Sequence, residues 1–385
     1  MLAPVYTSDI CEPEIRGSLG SLQSLMLCFG LLTVSFVGKY VPVDVLSAVC
    51  AVFPAIMAFL MFFMPRSPIF LVSKGKFEEA RKSLMFLRGP GFDCDMEVKK
   101  IKKQLELKDS DGEIGFTEMF KQGIYLKPLV LSTVLFFIQQ FSGINAIVSY
   151  KVEIFEDANT SLDPYWCNII TSFTQALFTL VAIVLVDRYG RRFLLVISGL
   201  LMSLSLVALG IYFYFKHRLE INNPLISEET MEQLSLFPLI AMFVYLAAFT
   251  VGYGPLPWLM NSELFPKEAT PTASALNTIT SWSFSFFAVK CYTQAENLFY
   301  THNTYYFFAG VCLFGAIFPL AFVPETKGKT EEDMRMLFQR KSASSSISTI
   351  SSTITCSMGS SSSLSNSVSA SSSVNTSSSD LSQHS

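Results

Sequence analysis

An all-α polytopic membrane protein is the fold class that this sequence predicts, and three observations carry it. Half of the 385 residues are hydrophobic against 15% charged, and Phe alone occurs 35 times. A polytopic membrane protein fits that balance better than a water-soluble core. Apolar runs of about 17–25 residues, the length that crosses a hydrocarbon core of ~30 Å, recur along the chain. The polar stretches between them alternate in the sign of their charge.

The runs fall at Leu19–Val37, Leu46–Met64, Pro128–Tyr150, Trp166–Val186, Phe193–Phe215, Leu236–Leu259, Ala273–Val289 and Tyr306–Val323, which makes eight expected spans. The first follows charged residues and lacks a small-residue cleavage site behind a short apolar core, so it does not read as a cleavable signal peptide. Between the second and third runs lie Arg66, Lys74, Lys76, Arg81, Lys82, Arg88, Lys99, Lys100, Lys102 and Lys103, and Arg188, Arg191 and Arg192 follow the fourth. Basic loops stay in the cytoplasm. The opposite loops carry Glu153, Glu156, Asp157 and Asp163, then Glu220, Glu228, Glu229 and Glu232. Both termini are therefore expected in the cytoplasm, and the plasma membrane is the expected location.

Residues 1–64 hold two spans, 65–127 form a cytoplasmic loop, 128–323 hold six spans, 324–341 follow the last span, and 342–385 are a serine-rich tail. Within the loop, Lys76–Arg88 and Asp95–Lys108 mix apolar and charged residues at helical spacing, which predicts short amphipathic helices. The tail has few large side chains to bury and is expected to be disordered. Asn159-Thr160-Ser161 is a glycosylation sequon on the expected outer side. Asn375-Thr376-Ser377 also matches, but in the cytoplasmic tail it is expected to be silent.

Four of the eight cysteines, Cys28, Cys50, Cys167 and Cys312, lie inside spans and read as small apolar filler. With no C-x-x-C pair and no clustered histidines, neither a zinc site nor a disulfide framework is supported. No cofactor or metal is expected. No nucleophile, base and orienting acid cluster together, and no glycine-rich phosphate loop stands out, so an enzyme is not expected. The positive residues follow membrane topology, which argues against nucleic acid as a partner.

The most telling feature lies inside the third run, where Gln139, Gln140, Phe141, Ser142, Gly143, Ile144 and Asn145 place three amides, a serine and a glycine in an apolar setting. Hydrocarbon disfavours such groups unless they face a cavity or a ligand. Neutral amides offer both donors and an acceptor, an inventory suited to an uncharged polyhydroxylated solute. On an unbroken helix Gln139 and Asn145 would point about 120° apart, and Ser142-Gly143 offers local unwinding that brings them together. Interhelical hydrogen bonding, worth roughly 0.6–2 kcal/mol each in membranes, is the other use of such side chains.

The sixth run holds Gly252, Tyr253, Gly254, Pro255, Leu256, Pro257 and Trp258, too many breakers for an unbroken backbone ladder. Broken helices at membrane depth line cavities or lean on other protein, and they often mark gates. Trp258 supplies a flat face and an indole N–H for a sugar ring; an interfacial belt tryptophan is its alternative. Gln175, mid-run between Phe173 and Phe178, reads equally as ligand contact or helix glue. Asp187-Arg188-Tyr189-Gly190-Arg191-Arg192 makes a tight basic turn, with Gly190 permitting the reversal. Its charges are placed to latch helix ends, and Glu263 and Glu325 sit where they can pair with its arginines.

In order along the chain, Pro4-Val5-Tyr6 with Glu14-Ile15-Arg16-Gly17, Pro65-Arg66-Ser67-Pro68, Gln139-Gln140 through Asn145 and Tyr150, Asp187 through Arg192, Gly252 through Trp258 with Glu263, and Pro324-Glu325-Thr326-Lys327-Gly328 resemble the markers of the sugar porter family of the major facilitator superfamily. The general character is most similar to insect trehalose and hexose facilitators. The resemblance implies a major facilitator fold, sugar contacts from Gln139, Gln140, Asn145, Gln175 and Trp258, and a further cavity tryptophan at Trp282. It also assigns Glu263, Arg191, Arg192 and Glu325 to a cytoplasmic gating network.

Several positions depart from the family. Arg66 and Ile69 stand where the family has an acid and an arginine, Ser24 stands for a sugar-contacting glutamine, and Ser149 for a tyrosine. The chain also begins where the family's fourth span is ending, so a complete C-terminal bundle with only the last two helices of the first bundle is expected. The expected function is transmembrane movement of hexose or trehalose by alternating access and facilitated diffusion. The alternative is a non-transporting truncated porter, acting as a sugar sensor or as a partner of complete porters.

Overall fold

Proline marks where several of these helices begin. The computed structural model describes residues 6–7, 9–11, 16–89, 91, 93–111, 115–121, 123–220, 233–266, 268–326 and 336. The serine-rich tail with Asn375, the acidic residues Glu228, Glu229 and Glu232, and the motif residues Pro4, Glu14, Lys327 and Gly328 lie outside them. Helix α1 spans Arg16–Tyr40 and stops ahead of Pro42, which leads into α2, Val43–Phe63. Pro68, Pro164, Pro238 and Pro271 each sit in a first helical turn, where a missing N–H costs nothing.

The basic loop forms α3 (Pro68–Ser73), α4 (Phe77–Arg88), α5 (Cys94–Asp111) and α6 (Phe116–Lys121). Two of these were expected; α3 and α6 are too short to show a helical period. Leu71, Val72, Ala80 and Ile101 make a small core joining α3, α4 and α5. The Ser67 hydroxyl caps α3, accepting from the Phe70 N–H at 3.3 Å and donating to the Asp9 carboxylate at 2.8 Å.

The remaining elements are α7 (Gly123–Phe141), α8 (Ile144–Ser149), α9 (Lys151–Asp157), α10 (Pro164–Arg188), α11 (Arg191–Glu220), α12 (Phe237–Val251), α13 (Leu256–Glu263), α14 (Thr270–Phe299) and α15 (Thr301–Ala321). Helix α11 packs on α12 and α15, α10 packs on α12 and α1, and α14 packs on α7. The α1–α10 seam runs antiparallel and carries three polar ties. Cys28 meets Thr179 at 3.1 Å, Ser35 meets Ser172 at 3.0 Å, and the Lys39 ammonium meets the Asp163 carboxylate at 3.0 Å. Lys39 also lies 4.2 Å over the Trp166 ring. Helix α2 buries none of its residues.

Seven of the expected runs form helices long and apolar enough to cross a membrane. The eighth, 273–289, is helical within the 30-residue α14 but falls short in apolarity. Asn277, Ser281 and Ser285, four residues apart and hence on one face, are part of the reason. Each bonds to α7 or α8, so the polar face is a helix contact.

Candidate functional site

Two helix breaks interrupt the six-span region, and side chains of neighbouring helices satisfy the backbone groups that each one frees. The first separates α7 from α8 at Ser142-Gly143. Gly143 has φ +89°, and a Cβ there would lie 2.6 Å from the Phe308 ring, so both backbone and space require glycine. The Ser142 carbonyl, freed by the break, accepts from the Tyr245 hydroxyl of α12 at 3.1 Å. The second break separates α12 from α13 across Gly252–Pro255. Its freed carbonyls, Tyr253 O and Gly254 O, accept from the Gln139 amide nitrogen at 2.7 and 3.0 Å.

Residues the sequence did not single out complete the stitching. Ser198 of α11 donates to the Ala248 carbonyl at 2.8 Å and accepts from the Tyr253 N–H at 3.3 Å. A Cβ on Gly252 would sit 2.2 Å from the Ser198 Cβ. The Tyr253 hydroxyl donates to the Gly315 carbonyl at 2.5 Å. One of three serines in an apolar run, Ser198 gave no signal of this role.

This stitching fixes how Gln139 is oriented. Two carbonyls take its NH2 group, so its carbonyl oxygen must point the other way. That oxygen is buried, in a residue 4% exposed, and has no hydrogen-bond partner among the described residues. The Gln175 carbonyl oxygen on α10 is likewise buried without a partner. A buried acceptor left unmade costs about 1–3 kcal/mol, so such groups mark places where a donor is due.

Gln140 and Asn145 behave differently. Gln140 donates to Ser281 at 2.8 Å and accepts from Asn145 at 2.5 Å, while Asn145 also donates to Ser285 at 2.7 Å. The break at Gly143 places Asn145 on Gln140 and not on Gln139, the partner expected from the sequence, and the polar ends of Gln140 serve as helix glue between α7–α8 and α14. Asn277 extends the same ladder, accepting from Thr133 at 3.0 Å and donating to Ser132 at 2.7 Å. Periodicity in 273–289 could have revealed this face, since its polar residues recur every four positions.

Trp258 follows the second break and stands edge-to-face with Phe136 at 4.7 Å, one turn before Gln139 and Gln140. Trp282 neighbours Ser281 in sequence and is 62% exposed. No hydrogen bond among the described residues joins Gln175 to the other amides. An apolar cavity of about 550 Å³, lined by Phe141, Tyr292, Phe307 and Phe308 among others, opens beside the first break and includes none of the six substrate-site candidates, Trp282 among them.

At the basic end the charged residues form a single lock. Arg191 Nη2 donates to the Glu263 carboxylate at 3.1 Å, and the other Glu263 oxygen accepts from the Thr326 hydroxyl at 2.5 Å. The Glu325 carboxylate accepts from the backbone N–H groups of Arg191 and Arg192 at 2.9 and 3.2 Å, a carboxylate at a helix N-terminus. Arg192 also bonds the Leu320 carbonyl. The φ of Gly190 is not left-handed, so the reversal does not call for glycine there; a Cβ would lie 2.5 Å from a Glu325 oxygen, the far end of a side chain that would have to shift. The Asp187 side chain lies outside the described residues. Arg66 takes no part in this lock, and its carbonyl accepts from Ser83 at 2.7 Å.

The family model described as "Sugar (and other) transporter" matches residues 1–338. The "Facilitated trehalose transporter Tret1" of Aedes aegypti is 36% identical over 349 residues, 90% of this chain and 42% of that protein. The Anopheles gambiae protein of the same name is 34% identical over 350 residues, 90% of this chain and 43% of that protein. The chain thus spans less than half the length of these two relatives. Among solved structures, the major facilitator proton:xylose symporter XylE bound to 6-bromo-6-deoxy-D-glucose superposes with a TM-score of 0.62 at 28% identity, over 88% of this chain and 70% of that one. The inward open conformation of XylE from E. coli gives 0.70 at 25% identity, over 87% and 69%. These relatives are transporters and not enzymes. The sequence markers, the paired helix breaks and the charged lock agree with that match, and the chain belongs to the sugar transporter family of the major facilitator superfamily.

Proposed function

We propose that this chain moves a neutral sugar, a hexose or trehalose, across a membrane by alternating access and facilitated diffusion. The observation that carries the reading is the Gln139 carbonyl oxygen, locked in direction by the second helix break and lacking a donor. A sugar hydroxyl is a donor without charge, and it satisfies that oxygen without placing an ion at depth. Gln175 supplies a second such acceptor. Trp258 and Trp282 offer flat faces for the ring, and Gln140 and Asn145 join the contact by exchanging a helix partner for a hydroxyl. The relatives, named as trehalose and xylose transporters, support a sugar as cargo.

The Gly252–Pro257 segment acts as the swinging part, since a broken helix lets one half move while the other stays packed. Arg191, Arg192, Glu263 and Glu325, with Asp187 beside them, form a latch that closes the basic end and releases during the cycle. The basic loops place that end, and both termini, in the cytoplasm of a plasma-membrane protein. Asn159 then lies outside and exposed, available for glycosylation. Helices α1 and α2 correspond to the closing helices of the first bundle, and α7–α15 to the second.

The test is reconstitution of the purified chain in liposomes, with saturable uptake of labelled trehalose and glucose compared against equilibrium binding. Saturable flux abolished by Gln139→Leu supports the proposal. Binding without flux replaces it with a sensor, or with a partner of complete porters if a complete porter co-purifies. Neither binding nor flux overturns both readings.

A further inference from the structure

Lys151 begins α9, directly after Tyr150, and is 5% exposed. Its ammonium donates to the Ser172 hydroxyl of α10 at 3.1 Å, and Ser172 in turn shares a hydrogen bond with Ser35 of α1 at 3.0 Å. One side chain therefore ties three elements: α9, α10 and α1. Among the described residues no carboxylate pairs with Lys151. Glu153, Glu156 and Asp157 on α9 are exposed, α8 carries no titratable group, and Asp163 at the start of α10 is engaged by Lys39. Tyr165 and the thiol of Cys167 are the other titratable groups in the first turn of α10.

We propose that Lys151 is a positioning residue for transport, tying the α8–α9 segment to the α1–α10 seam through an ammonium whose burial costs the closed form, so that opening the seam at its acidic end releases that ammonium to water. The inference rests on the two-bundle transport reading, because α1 and α10 belong to different bundles in it. Burial alone pushes the Lys151 ammonium down to about 8 from 10.5. Opening returns the group to water and to its ordinary value, so the open form binds the proton more tightly. By linkage protonation biases the seam towards the open form, fully below pH 8 and progressively less as pH rises from there towards 10.5. Between pH 7 and pH 9 the open-to-closed ratio falls by about tenfold.

The test uses spin labels on noncanonical residues at Tyr40 and Leu162, both exposed at the acidic end, with the distance distribution measured in nanodiscs from pH 7 to pH 9. In the native chain the long-distance population shrinks about tenfold in weight relative to the short one over that range. Lys151→Met, which keeps the length and removes the charge, is closed at both pH values. Lys151→Arg, which does not titrate in this range, holds the open population at both. If Lys151→Met follows the native pH course, or if Lys151→Arg loses the open population at pH 7, the proposal is overturned. Ser172→Ala gives a second check that leaves the charge in place: its pH course persists while the closed distance broadens, and an unchanged closed distance overturns the tie. Sugar uptake in liposomes is recorded in parallel. A seam that responds to pH in a chain without flux defeats the transport reading and leaves this one standing, whereas flux with a pH-indifferent seam does the reverse.

Discussion

At mid-span the polar groups are neutral and leave acceptors over, whereas at the basic end they are charged and leave none. Gln139 spends its nitrogen on two backbone carbonyls and keeps a bare oxygen, and Gln175 keeps another. In the lock, all four carboxylate oxygens of Glu263 and Glu325 have donors, and the atom left over is Arg191 Nε. In the proposed transport reading the difference separates a site from a clasp. A site organised for hydroxyl donors is rigid and incomplete by itself, while a clasp is complete by itself and must be undone by motion.

The sharpest way to break this comparison is to remove the two spare acceptors one at a time. Gln139→Leu strips the donor from the Tyr253 and Gly254 carbonyls as well as the acceptor, so both stability and sugar binding fall, with affinity lost by about 10- to 100-fold. Gln175→Leu removes an oxygen with no partner, so thermal stability stays within about 0.5 kcal/mol or rises while affinity falls about tenfold. Melting curves with calorimetric titration check both. A Gln175→Leu protein that melts early would mean that this oxygen is structural, and the contrast would fail.

Gly143→Ala tests whether the first break is required. A Cβ there meets both a left-handed backbone and the Phe308 ring, and the expected cost is about 2 kcal/mol in chemical denaturation. Pairing it with Phe308→Ala recovers the steric share alone, and full recovery would show that the backbone conformation carries no strain. The smallest effect belongs to the clasp. Glu263→Gln keeps the Thr326 contact and loses the ion pair with Arg191, an interaction that is partly exposed and worth about 1 kcal/mol. It shifts the rate of interconversion between states and leaves sugar affinity within twofold, as stopped-flow fluorescence and equilibrium binding can establish together. A larger change in affinity than in rate would merge clasp and site into one.

Much of this arrangement was legible before any coordinates. Breaker density located the second break, the Ser142-Gly143 step located the first, and the basic turn located the clasp, because Gly, Pro and clustered charge act through local chemistry. The uses of individual amides were not legible. Gln139 and Gln140 are adjacent in sequence, yet one faces freed carbonyls and the other faces Ser281, a distinction set by which neighbour each helix face meets. Ser198 was invisible for the same reason, since one serine in a helix carries no mark of the carbonyl 50 residues away that it serves. Gly190 supplies no left-handed turn, and its close neighbour Glu325 comes from far along the chain, beyond the reach of local reading.

The polar face of α14 has a consequence for how the chain is made. A segment bearing Asn277, Ser281 and Ser285 partitions poorly into lipid from the translocon when it arrives alone, because each of those groups enters hydrocarbon unpaired. Helix α7, synthesised well over a hundred residues earlier, holds Ser132, Thr133 and Gln140 as ready-made partners for two of them, and Asn145 just beyond it serves Ser285. Integration of α14 is therefore expected to wait on an earlier helix that has lingered beside the exit site. In a glycosylation-mapping assay, α14 fused by itself to a reporter would remain largely outside the bilayer, and placing 123–149 upstream would restore its insertion.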